Sequence, residues 1–450
     1  MNIIVVGAGK VGASLIENFI TEKHDVLLVD KDASVVEALV NKYDVQGIVG
    51  SGIEKDTLIE AGVSKADFFI ACTSRDEMNV LCSLLAKKLG AKHTVARVRT
   101  PEYYNELYAL RGDLGIDMVF NPEFRTSIEI ANMLKFPSSK SVESFSSGKV
   151  LMVEFDVDKD SLMADRTIVD IAKEGHGNVL FAMVNRGGKV YIPKGDFTIK
   201  EDDKVYIIST EAEITSFCKS LKIFKRHSRN VFVIGGGKIS FYLAKRLKSS
   251  KAKIKIIENE FNKCKELIDS LDGVNVVYGD GMDEELLLEE GLQNCDACIA
   301  VTGHDEENVV ISLYAQQIGV PKVITKVDSP TITRMLSTLN LDSVISPKNV
   351  VANHIIRFVR SHQVLEGSGM NEFYKLDGGA EAIEFTVNGG FPGNHIPIKK
   401  LKIKRDILIG GIIRNDQYIL PTGDQVIEPG DKLLVVTTHA GITSLTEILN

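Results

Sequence analysis

Apolar residues fall into two patterns along this chain. From residue 1 to about 134, short continuous runs such as Ile3-Ile4-Val5-Val6, Val26-Leu27-Leu28-Val29 and Phe68-Phe69-Ile70-Ala71 alternate with stretches of helical spacing such as Val11, Leu15, Phe19 and Ile20. Four β-prone residues in a row predict a strand buried on both faces, and strands alternating with helices predict a parallel sheet covered on both sides. The expected elements continue with a helix over 33–43, a strand over 45–49, a helix through Leu58 and Ile59, a strand over 68–71 and a helix over 78–89. A strand over 95–98 carrying Arg97, a helix through Leu110, the short strand Met118-Val119-Phe120 and a helix to about Leu134 complete the set. Pro137-Ser138-Ser139-Lys140-Ser141, with Ser144, Ser146, Ser147 and Gly148, reads as a linker. Beyond it the period drops to two over 152–157, 180–185, 189–193 and 204–208, which predicts a small β-rich α+β domain ending in a helix near 214–221.

The whole order then repeats. Val231-Phe232-Val233-Ile234 answers the first run, Asp67 to Thr73 reappears as Asp296 to Thr302, and Asp76-Glu77-x-Asn79 as Asp305-Glu306-x-Asn308. In the period-two part, Ile192-Pro193-Lys194-Gly195-Asp196 returns as Leu420-Pro421-Thr422-Gly423-Asp424. Those prolines and glycines read as turn chemistry. The chain is a tandem duplication, and the fold expected is α/β: two Rossmann-like doubly wound parallel-sheet domains, each followed by a small β-rich α+β domain. The boundaries expected are 1–136, 142–222, 229–362 and 372–450, with breaks at Lys222, Lys225-Arg226-His227 and Arg229 and at Gly367-Ser368-Gly369.

Composition narrows the function. A formal net charge of -8 and a pI near 5.7 give no general electrostatic footprint for nucleic acid. No apolar run approaches the roughly 18 residues that span a bilayer, and the chain opens directly on a strand, so a cytoplasmic protein is expected. Six cysteines are too sparse for a disulfide framework. Cys295 and Cys298 are three apart, and strand periodicity would send them to opposite faces, so they read as small buried residues.

The chemistry lies where the first strand ends. Gly7-x-Gly9-x-x-Gly12 follows it at once and opens an amphipathic helix, and Asp30 closes the second strand. Gly7 allows the tight turn, Gly9 lets a pyrophosphate approach the backbone, and Gly12 lets helix and strand pack closely. The helix N-terminus offers free N–H groups to phosphates, while Asp30 suits a ribose 2′-hydroxyl and disfavours a 2′-phosphate. Thr73 and Ser74 follow the fourth strand, where they line a ligand or cap the next helix, and Arg97 is either a phosphate or ribose contact or a solvated edge charge. The second copy reads Gly235-Gly236-Gly237-Lys238-Ile239-Ser240 with Glu258. The nine histidines are dispersed, with no recognisable catalytic dyad or metal-binding string. A nucleotide bound without chemistry points to signalling, and an NAD-dependent oxidoreductase is the alternative.

These motifs, duplicated in the order nucleotide unit, β-rich unit, nucleotide unit, β-rich unit, closely resemble the TrkA family, the tandem RCK (KTN) regulatory subunits of Trk potassium uptake. The resemblance covers essentially the whole chain. It implies NAD(H) contacts at Gly7, Ala8, Gly9, Lys10 and Val11, with Gly12, Asp30, Thr73, Ser74 and Arg97. A second site is implied at Gly235, Gly236, Gly237, Lys238 and Ile239, with Glu258 and Thr302, for NAD(H) or for ATP or ADP. It further implies no enzymatic activity, a homo-oligomer (a tetramer), and an integral-membrane potassium-translocating partner of Trk type reached from the inner face of the membrane. Local support for the oligomer comes from Ile128, Ile130, Met133, Leu134 and Phe136, which continue past the last strand. Departures are Ser240 for the third glycine, expected to widen the helix–strand spacing, Lys326 for Arg97, and Ser51 where the second copy has Asp280. They predict that the first site is the better NAD site.

Overall fold

Alternation along each buried strand decides the architecture. In β1 (Asn2–Val6), Ile3 and Val5 join one apolar cluster with Leu15, Ile16 and Phe19 of α1 (Lys10–Thr21), while Ile4 and Val6 join another with Leu58, Val63, Cys82 and Ala86. Successive side chains leave a strand on opposite faces, so a strand apolar at every position demands helices on both sides. Burying each Ile, Leu or Phe contributes about 1.5–3 kcal/mol. In this computed structural model, β2 (Asp25–Asp30), β3 (Gln46–Val49), β4 (Phe68–Ala71), β5 (His93–Arg97) and β6 (Met118–Phe120) pair in parallel in the order β3-β2-β1-β4-β5-β6. Between them run α2 (Ala33–Tyr43), α3 (Lys55–Glu60), α4 (Asp76–Lys88) and α5 (Pro101–Leu110), with α6 (Pro122–Lys135) after β6. The strand order reverses between β1 and β4, the switch point at which open α/β sheets bind ligands.

The second half repeats that sheet with strands Asn230–Ile234, Lys253–Glu258, Asn275–Tyr278, Ala297–Ala300, Lys322–Lys326 and Ser343–Ile345 in the equivalent order. Each β-rich part is a five-stranded sheet, and the described pairings within it are antiparallel. One face of the first sheet (Phe145, Met152, Met183, Ile208) and one of the second (Tyr374, Ala382, Ile413, Val436) share a single core. A forked pair recurs in both: Arg186 donates from Nε and Nη2 to Asp203 at 2.7 Å each, and Arg414 to Asp431 at 2.8 Å each. These buried carboxylates, in the repeated pairs Asp203-Lys204 and Asp431-Lys432, also accept the Lys200 and Glu428 N–H groups and so anchor their turns. The structure describes all residues except 175–177, 224–227, 251, 340, 342, 364–368 and 440. Lys225-Arg226-His227 of the basic run and Gly367-Ser368 of the later break lie outside the described residues.

Three local expectations need correction. Ser141–Phe145, part of the presumed linker, is an edge strand paired antiparallel with Val150–Asp156, because Val142 and Phe145 reach apolar cores on either side of Glu143 and Ser144. Cys295 and Cys298 share one apolar cluster: Cys295 stands just before the strand, where strand periodicity does not yet apply. Both are free and buried, as are the other four cysteines.

The third correction concerns which residues pack together. By contacts the chain divides into Met1–Ser127 with Ile345–Val359, and Ile128–Val344 with Arg360–Asn450. Within the first unit, helix Pro347–Gln363 sets Val351, Ala352, Ile355, Ile356 and Val359 into the cluster of Ile3, Val5 and Phe19. Ile130, Met133, Leu134 and Phe136, which the sequence joins to the first domain, fall in the second unit and are buried within the single chain. That apolar stretch therefore no longer argues for an oligomer.

Candidate nucleotide-binding sites

Each glycine turn begins with a backbone that only glycine suits. Gly7 has φ +96° and Gly235 φ +104°, and a Cβ on either would meet the backbone nitrogen of Thr73 or Thr302 at 2.7 or 2.9 Å. Both turns are pinned to the second strand, Gly7 N–H donating to Val29 O and Gly235 N–H to Ile257 O at 2.9 Å. Gly9 and Gly237 then act as N-caps of α1 and of helix Lys238–Leu247, with no side-chain cap and open space where a Cβ would lie. The first N–H groups of each helix thus face outward over the carboxyl ends of the strands, a ready position for a phosphate. Lys10 and Lys238 are exposed at these helix starts, Val11 is half-buried and Ile239 is buried.

The acid at the end of the second strand is held by the turn itself. Ala8 N–H donates to Asp30 Oδ2 at 2.7 Å and Asp32 N–H to Oδ1 at 3.0 Å. In the second copy Gly236 N–H donates to Glu258 Oε2 at 2.7 Å and Glu260 N–H to Oε1 at 2.8 Å. Asp30 is half-buried and Glu258 buried, and each oxygen keeps a second lone pair for a ribose hydroxyl. Glycine at 236 makes room for the longer acid, since a Cβ there would stand 2.9 Å from Glu258 Oε2 and 2.7 Å from Leu267 Cδ1.

At the third glycine position the halves solve one problem in two ways. A Cβ on Gly12 would stand 2.0 Å from Gly7 O, and that carbonyl instead accepts Cys72 Sγ–H at 3.1 Å. Burial raises the Cys72 thiol to about 12, so it stays a protonated donor. In the second copy Val301 replaces Cys72, and the Ser240 hydroxyl itself donates to Gly235 O. Ser240 is thus a hydrogen-bonding substitute, and both turns keep the same bond to the second strand.

Thr73 and Ser74 do not cap α4, whose N-cap is Arg75. Thr73 N–H donates to Asn79 Oδ1 at 2.7 Å, and Asn79 Nδ2 donates to Arg97 O at 2.9 Å. Asp76 Oδ2 accepts from Arg99 N–H at 2.9 Å, Thr100 N–H at 2.8 Å and the Thr100 hydroxyl at 2.7 Å. The second copy matches this: Asn308 receives Thr302 N–H at 2.8 Å and donates to Lys326 O at 3.1 Å, and Asp305 receives Asp328 and Ser329 N–H groups. The repeated Asp-Glu-x-Asn motif therefore ties the ends of two neighbouring strands together. Its repetition was the signal in the sequence, but no spacing rule told scaffold from ligand contact.

Arg97 is buried, which removes the reading as a solvated edge charge. Its Nη2 donates to Thr73 O, its Nε has no hydrogen-bond partner, and burial lowers its pKa. Lys326 donates to the equivalent carbonyl, Thr302 O, at 2.6 Å. In each half the structure brings together the glycine turn, the acid, the threonine and this cation at the carboxyl ends of the central strands. Ser74 lies beside them, exposed.

Two copies of the TrkA-N domain match residues 3–122 and 231–347, and two copies of the TrkA-C domain match 152–222 and 385–450. The chain belongs to the TrkA family. A Trk system potassium uptake protein TrkA homolog of Archaeoglobus fulgidus is 33% identical over 450 residues, the full length of both chains. The Trk system potassium uptake protein TrkA of Vibrio alginolyticus is 29% identical over 100% of this chain and 98% of its own. Among solved structures, the GsuK channel bound to NAD has a TM-score of 0.64 at 18% identity, covering 97% of this chain and 76% of that one. GsuK bound to ADP gives 0.52 at 15% identity, over 80% and 69%. This likeness shows the fold alone.

Proposed function

We propose that this chain is a nucleotide-sensing regulatory subunit of a Trk-type potassium-uptake system, binding NAD(H), ADP or ATP at its two glycine turns. The observation that carries the reading is the duplicated arrangement of an uncapped helix N-terminus beside a carboxylate at the sheet's switch point, in a chain that matches the TrkA family end to end. The adenine nucleotides are suggested by the GsuK structures bound to NAD and ADP. In the first site Gly7, Ala8, Gly9, Lys10, Val11 and Gly12 cradle the phosphates, Asp30 takes the ribose, and Thr73, Ser74 and Arg97 close the far side. Gly235 to Ile239, Glu258 and Thr302 do the same in the second. The Trk potassium-uptake names of the relatives suggest that the permeation path belongs to a separate integral-membrane subunit, which this chain approaches from the cytoplasmic face; no described helix is long and apolar enough to cross a membrane.

Occupancy, not turnover, is the output. A nucleotide shifts the equilibrium between two conformations only by its difference in affinity for them, and that difference is what a membrane partner reads. A homotetramer, suggested by the family resemblance, would present eight nucleotide units to that partner. Calorimetry with NADH, ADP and ATP on the parent chain, Gly9→Asp, Gly237→Asp and the double variant tests the reading, alongside potassium-limited growth of a strain that depends on this protein. Each single variant is expected to lose one class of sites and the double variant all binding and nucleotide control of uptake. Unchanged stoichiometry in the double variant, or substrate-dependent NADH oxidation at enzyme-like rates, would sink it.

A further inference from the structure

The second turn faces an aromatic pair that the first lacks. Tyr278 ends its strand in register with Glu258, and Phe261 opens helix Phe261–Ser270, three residues beyond Glu258. Their rings meet edge to face with centroids 5.6 Å apart, and they remain 60% and 54% exposed. Lys265 Nζ lies 4.6 Å from the Phe261 ring centre. In the first half the same places hold Val49, in register with Asp30, and Ala33, the first residue of α2.

Topology says what lies there. The glycine turn, Glu258 and Tyr278 stand at the carboxyl ends of three successive neighbouring strands, each about 4.8 Å from the next. A nucleotide with its phosphates at the turn and its ribose on Glu258 carries its base outward in the same direction, over the end of the third strand. We propose that Phe261 and Tyr278 form a stacking platform for adenine, which makes the second turn a site for an adenine mononucleotide, ADP or ATP. This rests on the nucleotide reading above and adds the residues that set the second site's ligand. Stacking on the base compensates there for the missing second half of a dinucleotide. The first site, with Ala33 and Val49, has no such surface and depends on the whole dinucleotide.

The test uses the full chain carrying Gly9→Asp, so that only the second turn is competent, and titrates it with ADP by calorimetry. Phe261→Ala and Tyr278→Ala are each expected to weaken ADP binding about tenfold, the size of one base–aromatic stack. Phe261→Tyr and Tyr278→Phe should keep the affinity, since either ring still stacks. Both side chains are exposed, so the alanine variants fold. ADP affinities within twofold of the parent in both alanine variants overturn the platform while leaving the site standing. Unchanged ADP affinity with a lower mass by light scattering assigns the pair to a protein contact and also overturns it. If the Gly9→Asp chain binds no ADP at all and Gly237→Asp alters nothing, the nucleotide reading of the second turn fails and the platform with it.

Discussion

The two nucleotide units share a plan and differ at four contacts. Where the first has Gly12 under Cys72, the second has Ser240 under Val301, and in each the same carbonyl receives one hydrogen bond. Where the first pairs Ala8 with Asp30, the second pairs Gly236 with Glu258, so a Cβ is exchanged for a methylene. Arg97 gives way to Lys326 with the same acceptor kept, and Ala33 with Val49 gives way to Phe261 with Tyr278. The first three exchanges conserve the turn; the fourth changes what the turn faces. Ser240 beside Val301 and Gly236 beside Glu258 are compensated substitutions, each visible only next to its partner.

The largest effect that could break this comparison comes from Gly12→Ser. With Cys72 in place, the new Cβ meets Gly7 O and the hydroxyl competes with the thiol for that oxygen, so the first unit should lose about 2–3 kcal/mol. Adding Cys72→Val, which recreates the second unit's pair, should recover a large part of it. Hydrogen exchange of the β1 and α1 amides measures both. Equal protection in the parent chain and Gly12→Ser would show that the backbone yields freely and that the exchange is not coupled.

A smaller loss is expected from Gly236→Ala. Its Cβ crowds Glu258 and Leu267, for about 1–2 kcal/mol, whereas Ala8→Gly in the first unit removes no contact of that kind and should cost less than about 1 kcal/mol. Glu258→Asp added to Gly236→Ala should restore exchange protection near the second turn. If the double variant is no better than the single, room for the longer acid is not why glycine stands there.

The smallest effect lies at the edge of the first sheet. Asp117 is pushed up by burial, but the Thr94 N–H at 2.7 Å and Lys87 Nζ at 3.1 Å outweigh that and hold its pKa below the ordinary carboxylate range. A lowered folded pKa gives stability that is present above the unfolded value of about 3.9 and lost as pH falls through the folded one. Asp117→Asn should cost about 1 kcal/mol at pH 7 after allowing for the group's partial exposure, and progressively less as pH falls through the lowered pKa. Exchange of the β5 and β6 amides at pH 7 and through the acid range checks it; a difference that does not shrink as pH falls would show a cause other than the charge.

By itself the sequence determined the doubly wound sheets, the duplication, the glycine turns and the acids after them, because strand period, turn chemistry and internal repetition are local and survive in one dimension. Helix 33–43 and strand 68–71 have the expected bounds. What it missed depends on which distant surfaces meet. Ser141–Phe145 looked like a linker because its serines hide two apolar residues that only a neighbouring strand makes useful. The helix at Pro347–Gln363 looked like part of its own half, yet its apolar face fits the first sheet, and a stripe of apolar residues carries no address. Arg97, Cys72 and Asn79 acquired their roles from carbonyls and thiols brought together at the ends of β1, β4 and β5. Only the tertiary structure could decide these, since a hydrogen bond between residues far apart in the chain leaves no spacing for a sequence to show.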